Sequence, residues 1–335
     1  MQALPDFEYL EPASLGQAAE MLRHAGDQCM VIGGGTDLVP SMRQGLFAPK
    51  YLLSLQAIDT LRGIQWDEGV GLRIGALATL RSVESDPQVL RRFPLVARGA
   101  FEVASPSIRQ MATVGGNLCL DTRCSYYNQS ENWRQVSTAC LRMGGEFCKA
   151  SPGGRARKCF SAFSADLATT LVALGAQVTL LSGRGERTIA LRDFYTGDGA
   201  KPNSRSADEI LTHVLVPSDK AACRGTYLKY RLRDTIDYPI ASVALTLRPT
   251  DRERVFEDVC LVISGVTTRP VVVKGVAELL NGKRLDDGLI EQAAQLARTA
   301  AIPVANTAGT RSHRKLMIYE FARKAFADLL QPLDA

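Results

Sequence analysis

Four cysteines set the strongest limit on how this chain can fold. The 335-residue sequence has eight cysteines, and five of them lie between positions 119 and 159. Four of the five, Cys124, Cys140, Cys148 and Cys159, follow one another at spacings of 16, 8 and 11 residues, in a segment that the sequence pattern predicts to be an inserted loop. Thiolates grouped in fours bind iron-sulfur clusters or zinc. We therefore expect the loop to fold back on itself and bring these side chains together.

We expect the cysteines to be reduced. The N-terminal segment MQALPDFEYL has neither the basic start nor the apolar run of an export signal, which predicts a cytoplasmic protein. In a reducing compartment, a dense group of cysteines binds a metal more often than it forms disulfides. Zinc stays open as an alternative to an iron-sulfur cluster, and so does simple burial as apolar side chains, which we expect for Cys29, Cys223 and Cys260. We interpret Cys119 as structural.

Composition and charge argue against nucleic acids and membranes as partners. The net charge is only +5, and no segment interleaves many Lys and Arg with aromatic residues, so nucleic-acid binding is not expected. The longest uncharged stretch, residues 167–183, is too short and too polar to span a bilayer, so we expect no membrane partner. The length is enough for two or three domains.

The pattern of helices and strands predicts an α+β protein. Ser14 is placed to cap a helix that Gly26 ends, and strands at 29–32 and 51–55 complete a small α/β unit. Beyond residue 57 helices and strands no longer alternate regularly. The predicted helices begin at Thr79, 93 and 164, and the predicted strands cover 70–77, 177–181 and 210–217.

A polar segment near 217–224 predicts a domain boundary. We divide the chain into domains 1–219 and 220–335, the first being split into subdomains 1–56 and 57–219, with a cysteine-rich insertion at 119–162. The second domain has predicted strands at 226–233, 241–249 and 259–266, followed by predicted helices at 271–280, 289–299 and 310–330.

Two glycine-rich loops follow predicted strands. In VIGGGTDL, Gly33, Gly34 and Gly35 leave backbone amides unshielded, and consecutive exposed amides form a concavity that binds anions. The loop lacks the third glycine of a dinucleotide-binding fingerprint, because Leu38 stands there. A similar loop, TVGGNL, occurs at 113–118. Two such loops can hold a pyrophosphate from both sides, although each alone is also typical of a tight turn.

These loops resemble the AGGTDL-like and TIGGN-like loops of the FAD-binding medium subunits of the xanthine dehydrogenase family of molybdenum enzymes. The resemblance continues, in the same order, through SADL at 164–167, EILTHVLVP at 209–217, TYLKYRLRDTIDYPIASVAL from 226, VISGVTTRPV from 262 and AGTRSHRKLMIYEFARKAF from 308. It implies an FAD-binding PCMH-type (vanillyl-alcohol-oxidase-like) domain of two α/β subdomains. A C-terminal α+β domain like that of the CO dehydrogenase flavoproteins is implied to follow.

The resemblance also implies a flavin site. Its residues come from both loops and from three later segments, with Asp166 and Leu211 near the ribityl chain or ring and Lys229 beside the isoalloxazine. A cation there would favour reduced, anionic flavin. The alternative for Lys229 is an ordinary solvated lysine on a strand. The complete implied set is Val31, Ile32, Gly33, Gly34, Gly35, Thr36, Asp37, Leu38, Thr113, Gly115, Gly116, Asn117, Asp166, Leu211 and Lys229.

The insertion is similar to the one that distinguishes the 4-hydroxybenzoyl-CoA reductases within this family. About 45 residues separate Asn117 from Ser164, where most members have a few. The similarity implies that Cys124, Cys140, Cys148 and Cys159 hold a 4Fe-4S cluster. It further implies ferredoxin as electron donor, and a small 2Fe-2S subunit and a large molybdopterin subunit as partners in a dimer of heterotrimers. The implied reaction is the reductive dehydroxylation of 4-hydroxybenzoyl-CoA to benzoyl-CoA in anaerobic aromatic degradation.

Two other functions stay open from the sequence. A flavin subunit of a hydroxylase would send electrons outward to NAD or a quinone, and a zinc-stapled binding module would use the glycine loops as plain turns. No hydrolase motif occurs, and we expect no catalytic residue on this chain. Five basic residues of the insertion would offset the charge of a cluster, meet an acidic ferredoxin or simply face solvent: Arg142, Lys149, Arg155, Arg157 and Lys158.

Overall fold

The computed structural model describes residues 3–331, so residues 1–2 and 332–335, at the outer ends of the two predicted domains, lie outside the description. The first unit is a parallel three-stranded sheet with strand order β1-β3-β2. The Ser14 hydroxyl accepts a hydrogen bond from the Gln17 amide, and Gly26 ends the helix at φ +54°, which confirms the predicted caps. The elements are β1 (Glu8–Leu10), α1 (Leu15–Ala25), β2 (Cys29–Ile32), α2 (Leu38–Arg43) and β3 (Tyr51–Ser54).

The second unit is an antiparallel five-stranded sheet with order β4-β5-β10-β6-β7. Every residue of its helix α9 is buried, so this helix forms the centre of the unit. Before the insertion come β4 (Ile64–Asp67), β5 (Gly71–Gly75), α3 (Leu80–Ser85), α4 (Pro87–Arg92), α5 (Pro94–Phe101), α6 (Pro106–Met111) and α7 (Val114–Leu118). The insertion contributes α8 (Glu131–Val136). After it come α9 (Asp166–Ala173), β6 (Gln177–Ser182), β7 (Gly185–Ala190), α10 (Leu191–Phe194), β8 (Tyr195–Asp198), β9 (Lys201–Asn203) and β10 (Ile210–Pro217).

The insertion folds against the rest of the chain. Its two ends meet where Arg123 and Ala162 form an antiparallel bridge, with reciprocal backbone hydrogen bonds of 2.8 Å. Asn306, from the C-terminal part of the chain, accepts from the Ser125 amide and donates through its side chain to the Phe160 carbonyl. The insertion is therefore held at its base and by a distant loop.

The third unit is a four-stranded antiparallel sheet with helices packed on it. Alanines on α12 and α13, among them Ala294 and Ala325, are fully buried and let the helices approach closely. The sheet follows chain order, and the elements are β11 (Arg224–Tyr230), β12 (Ala241–Pro249), β13 (Phe256–Ser264), β14 (Val271–Val272), α11 (Val276–Leu280), α12 (Asp287–Ala300) and α13 (Arg311–Leu330).

The predicted helix at 271–280 is wrong in its first half. Val271 and Val272 form a strand that pairs with β13, and the helix starts only after Gly275, which has φ +85°. Three consecutive valines at 271–273 favour an extended chain because β-branched side chains pack well on a pleated surface. Across residues 3–331, none of the helices has the length and apolar character needed to cross a membrane.

Arg314 ties the third unit together from inside. Its side chain is buried, and its guanidinium donates to the carbonyls of Ile240, Val304 and Gly265 at 2.6–3.1 Å and to the Asn306 side chain at 3.3 Å. Burial lowers the pKa of Arg314 to about 10, so the group stays charged at neutral pH. One cation thus satisfies acceptors from three loops.

Replacing this arginine should destabilise the third unit. Arg314→Ala leaves several buried acceptors without a donor, and we expect the free energy of unfolding to fall by about 3 kcal/mol or more. The measurement is urea denaturation followed by circular dichroism. Arg311→Ala, at an exposed position on the same helix, should change it by less than about 0.5 kcal/mol. Equal effects of the two variants would contradict the role given to Arg314.

Candidate functional site

A cavity of about 520 Å³ lies where the three units meet. Its volume is in the range of pockets that bind cofactors. Most of the predicted site residues line it, and three do not: Ile32, Gly33 and Lys229. The predicted residues on its wall are Val31, Gly34, Gly35, Thr36, Asp37, Leu38, Thr113, Gly115, Gly116, Asn117, Asp166 and Leu211.

The first glycine loop presents free backbone donors to this cavity. The loop joins β2 to α2, and Gly35 adopts φ +71°, which favours glycine. Within residues 3–331, the amides of Gly34, Gly35, Thr36 and Asp37 donate to no backbone or side-chain acceptor. Four consecutive unpaired amides beside a helix start form a concavity suited to a phosphate group.

The second glycine loop works differently from the expectation. The Gly115 amide donates to the Ala76 carbonyl at 2.8 Å, and the Gly116 amide donates to Thr113 Oγ1 at 3.1 Å. These donors are therefore not available to an anion. The loop instead offers the Asn117 side chain, whose Oδ1 is buried without a hydrogen-bond partner among the described residues. An orphaned acceptor on the cavity wall fits a bound ligand that donates to it.

Glycine is required where each loop lies against another segment of the chain. A Cβ atom built on Gly34 would lie 1.7 Å from the Met111 carbonyl oxygen. A Cβ atom on Gly115 would lie 2.9 Å from that of Ala76. A side chain at either position would therefore push apart two segments that now touch.

Lys229 lies one residue behind the cavity wall. Its Nζ is 2.9 Å from Asp166 Oδ2 and donates to the Glu102 carbonyl at 2.8 Å, and the Lys229 and Asp166 side chains are 1% and 3% exposed. Tyr227 donates to Asp166 Oδ1 at 2.6 Å. Burial raises the pKa of Asp166, whereas Lys229 and Tyr227 act in the opposite direction. The alternative of a solvated lysine is wrong, because the Lys229 ammonium is buried and paired with Asp166.

Sequence reasoning missed a cluster that joins three parts of the chain. Arg123, from the insertion, pairs with Asp37 of the first glycine loop. Its guanidinium also donates to Tyr238 Oη at 2.8 Å and lies 4.6 Å from the centre of that ring. Burial raises the pKa of Asp37, and the nearby Arg123 charge opposes this rise. Asp121, Arg205 and Tyr238 are further wall residues that the motifs did not indicate.

The four predicted cysteines converge. Cys124, Cys140, Cys148 and Cys159 are all buried, carry free thiols and line one small cavity inside the insertion. Cys119 lies instead on the wall of the larger cavity. The structure therefore brings together, from spacings of 16, 8 and 11 residues, the set that the sequence singled out.

The thiols differ in how their surroundings act on them. Burial raises the pKa of Cys124, and the hydrogen bond to Cys148 together with burial raises the pKa of Cys159, whereas Cys148 is the thiol whose surroundings favour the thiolate. The Cys159 thiol donates to Cys148, and the amides of Phe160, Ala150 and Ser151 add further donors, which together lower the pKa of Cys148 to about 6. The Phe160 amide lies 3.4 Å from Cys148 Sγ. Hydrogen bonds from amides to sulfur are a means by which proteins stabilise and tune iron-sulfur clusters.

Zinc and an iron-sulfur cluster place different demands on the positions of the four thiols. Within residues 3–331, no group of three or more His, Cys, Asp or Glu side chains is arranged so that it could hold a metal ion. A single zinc requires four ligands around one point. In a 4Fe-4S cluster each cysteine binds a different iron, so its ligands stand further apart.

Comparison with known proteins agrees with this architecture. Residues 5–219 match the family model described as the FAD binding domain in molybdopterin dehydrogenase, and residues 226–329 match the CO dehydrogenase flavoprotein C-terminal domain. The fold and the cavity thus define an FAD-binding subunit of an oxidoreductase. The chain belongs to the FAD-binding medium subunits of the xanthine dehydrogenase and CO dehydrogenase family of molybdenum hydroxylases. The predicted fold class and FAD as cofactor are confirmed.

Relatives match along nearly the whole chain. The chain is 25% identical to the carbon monoxide dehydrogenase medium chain of Afipia carboxidovorans over 95% of each protein. It is also 25% identical to the nicotinate dehydrogenase FAD-subunit of Eubacterium barkeri, over 99% of this chain and 98% of the relative. A structure of carbon monoxide dehydrogenase from Hydrogenophaga pseudoflava superposes with a TM-score of 0.79 at 23% identity, covering 97% of this chain and 98% of that one, which shows a shared fold.

The close contact at Gly34 gives a test of the flavin site. Gly34→Ala places a methyl group against the Met111 carbonyl and should weaken FAD binding by roughly tenfold or more, because overpacking costs about 1–3 kcal/mol. Flavin absorbance per polypeptide after purification, together with FAD titration, measures this. Gly16→Ala is the matched control, since nothing lies within 4 Å of its new Cβ atom. Full FAD occupancy in both variants would show that the loop contact is not needed.

Proposed function

We propose that this chain is the FAD- and 4Fe-4S-carrying electron-transfer subunit of a molybdenum enzyme that reductively dehydroxylates 4-hydroxybenzoyl-CoA to benzoyl-CoA and water. Low-potential electrons from ferredoxin enter through this subunit and pass to a 2Fe-2S subunit and on to a molybdopterin subunit. The substrate is bound on the molybdopterin subunit, so this chain has no catalytic residue.

The observation that carries the proposal is the convergence of four buried cysteines beside the flavin cavity. A medium subunit without an iron-sulfur centre has no need of four thiols that line one small cavity inside an insertion. The residues suit the group, because all four donors are thiols and several amides face them. When bound, such a cluster supplies one-electron transfer next to a flavin.

Each cofactor would be held by a defined set of residues. Cys124, Cys140, Cys148 and Cys159 would bind the cluster irons. The amides of the first glycine loop would bind the FAD pyrophosphate, and the Asn117 side chain would accept a hydrogen bond from the coenzyme. Asp166 would face the flavin, with Lys229 keeping that carboxylate in place and offsetting its charge. The effect of Lys229 on the flavin potential would therefore be reduced by the opposite charge of Asp166.

The relatives support the rest of the assembly. Their names describe medium chains and FAD subunits, which supports large and small partner subunits for this chain. We further propose that the assembly is a dimer of heterotrimers and lies in the cytoplasm. We also propose the domain division 1–219 and 220–335, with strands β10 and β11 on either side of it.

A second candidate keeps the flavin site and reverses the electron flow. Several relatives are named dehydrogenases, and one is the nicotine 6-hydroxylase medium subunit of Paenarthrobacter nicotinovorans. These names favour a hydroxylase that sends electrons outward to NAD or a quinone. Membership of an FAD-binding family removes support for the zinc-stapled binding module, in which the glycine loops are plain turns.

Metal analysis tests the cluster directly. Anaerobically purified protein should contain about four iron and about four acid-labile sulfide per chain. Cys124→Ala should lose most of the iron and keep its FAD, because Cys124 lines only the smaller cavity. Cys223→Ala, outside the insertion, should keep both. Stable zinc in place of iron would overturn the cluster, and joint loss of iron and FAD in Cys124→Ala would mean that the cysteines and the flavin cavity do not fold independently.

The electron donor that reduces the flavin faster distinguishes inward from outward electron flow. Under the proposal, reduced ferredoxin bleaches the flavin of the anaerobic complex quickly and NADH does so slowly or not at all. Stopped-flow absorbance with each donor measures the two rates. Faster reduction by NADH than by ferredoxin would contradict the proposed direction and favour the hydroxylase. The Cys124→Ala variant should lose the ferredoxin-driven phase alone.

A further inference from the structure

One ion pair lies between the two cavities. Asp121 is on the wall of the larger cavity, and Arg142 is on the wall of the cysteine cavity. The Arg142 Nη2 atom is 3.0 Å from Asp121 Oδ1 and 2.9 Å from Oδ2. The two side chains are only 8% and 13% exposed. This pair of opposite charges thus connects the wall of one cavity to the wall of the other.

Both members of the pair are fixed in place. The Arg142 guanidinium lies 3.8 Å from the centre of the Tyr127 ring, and its Nη1 is 3.4 Å from Thr122 Oγ1. Thr122 in turn donates to the Gly199 carbonyl at 2.8 Å. Asp121 is also linked to Arg123, whose Nη1 donates to the Asp121 carbonyl at 2.9 Å. A charge held this rigidly acts on its neighbours without reorganisation.

We propose that Arg142 raises the reduction potential of the centre held by the four cysteines, and that Asp121 limits this effect while also lowering the potential of the flavin. This inference rests on the proposed function, since it assumes the cluster. Arginine stays charged under all ordinary conditions. A buried cation beside a centre that gains an electron stabilises the reduced state, and a carboxylate paired with that cation offsets it. The pair therefore sets the two potentials relative to each other.

Other basic residues of the insertion cannot replace Arg142. Arg155, Arg157 and Lys158 are exposed, so water and salt screen their charges. Lys149 lies on the wall of the cysteine cavity, and its ammonium contacts the Thr138 carbonyl. Within residues 3–331, Arg142 is the guanidinium that touches both the cysteine cavity and a carboxylate of the larger cavity.

The inference predicts shifts of the cluster potential that have opposite signs when Arg142 and Asp121 are replaced. In the anaerobically purified holoenzyme, redox titration monitored by electron paramagnetic resonance gives the midpoint potential of the cluster, and absorbance gives that of the flavin. Arg142→Gln should lower the cluster potential. Asp121→Asn should raise it, because the arginine charge is no longer offset, and should raise the flavin potential as well. The double variant should return the cluster potential toward that of the natural protein.

Matched variants separate charge from structure. Arg142→Lys keeps the charge and should stay close to the natural protein, and Arg155→Gln, on the exposed part of the same loop, should leave both potentials unchanged. Shifts of the same sign in Arg142→Gln and Asp121→Asn, or no shift in either, would overturn the inference. If Arg142→Gln loses its iron, the Asp121→Asn variant still tests the inference: a raised cluster potential supports it, and a lowered or unchanged one overturns it.

Iron content distinguishes failure of the proposed function from failure of this inference alone. Iron-free protein with normal FAD would overturn the cluster in the proposed function, and the inference together with it. Iron-loaded variants with unmoved potentials would overturn the inference alone and leave the proposed function standing.

Discussion

The contact between Arg123 and Asp37 is the interaction on which the arrangement of the two cavities depends. It joins the base of the insertion to the first glycine loop, although 86 positions separate the two residues. The ring of Tyr238 covers this contact from the third unit. Because Cys124 is the next residue after Arg123, fixing Arg123 also fixes where the cysteine cavity begins. Proximity of the two cavities therefore follows from one half-buried ion pair and from the direction of the chain that leaves it.

The wall of the flavin cavity follows a general electrostatic rule. A buried carboxylate persists as an anion only where a cation or several donors accompany it. Each acid on the wall has a base that approaches it, and only one base, Arg205, is itself on the wall. Under the proposed function, the amide dipoles of the first glycine loop would consequently contribute more to holding an anionic coenzyme than paired side-chain charges would. The pairs are Asp37 with Arg123, Asp121 with Arg142, Asp166 with Lys229, Glu209 with Arg187, and Asp237 with Arg233.

The sequence was sufficient wherever the signal was local. The Ser14 and Gly26 caps, the strand at 29–32 and the glycine loops are each written within a few residues, and the structure has them there. Whether the amides of the second loop are free for a ligand could not be predicted locally. The Gly115 amide donates to the carbonyl of Ala76, which belongs to another segment. Pairing of Val271 with β13 overrode the apolar spacing that predicted a helix. Partners such as Tyr238 depend on contacts across the whole chain, and no short motif encodes them.

The same long-range contacts change how the insertion should be understood. Two of the five bases that neutralise the cavity wall, Arg123 and Arg142, come from the insertion itself. Without them, Asp37 and Asp121 would face an anionic coenzyme with no counter-charge. The insertion is thus part of the flavin site as well as the place where the cysteines meet, and its two functions are carried by different residues. A chain of this family that lacked the insertion would need another cation at each of these carboxylates, or neutral side chains in their place.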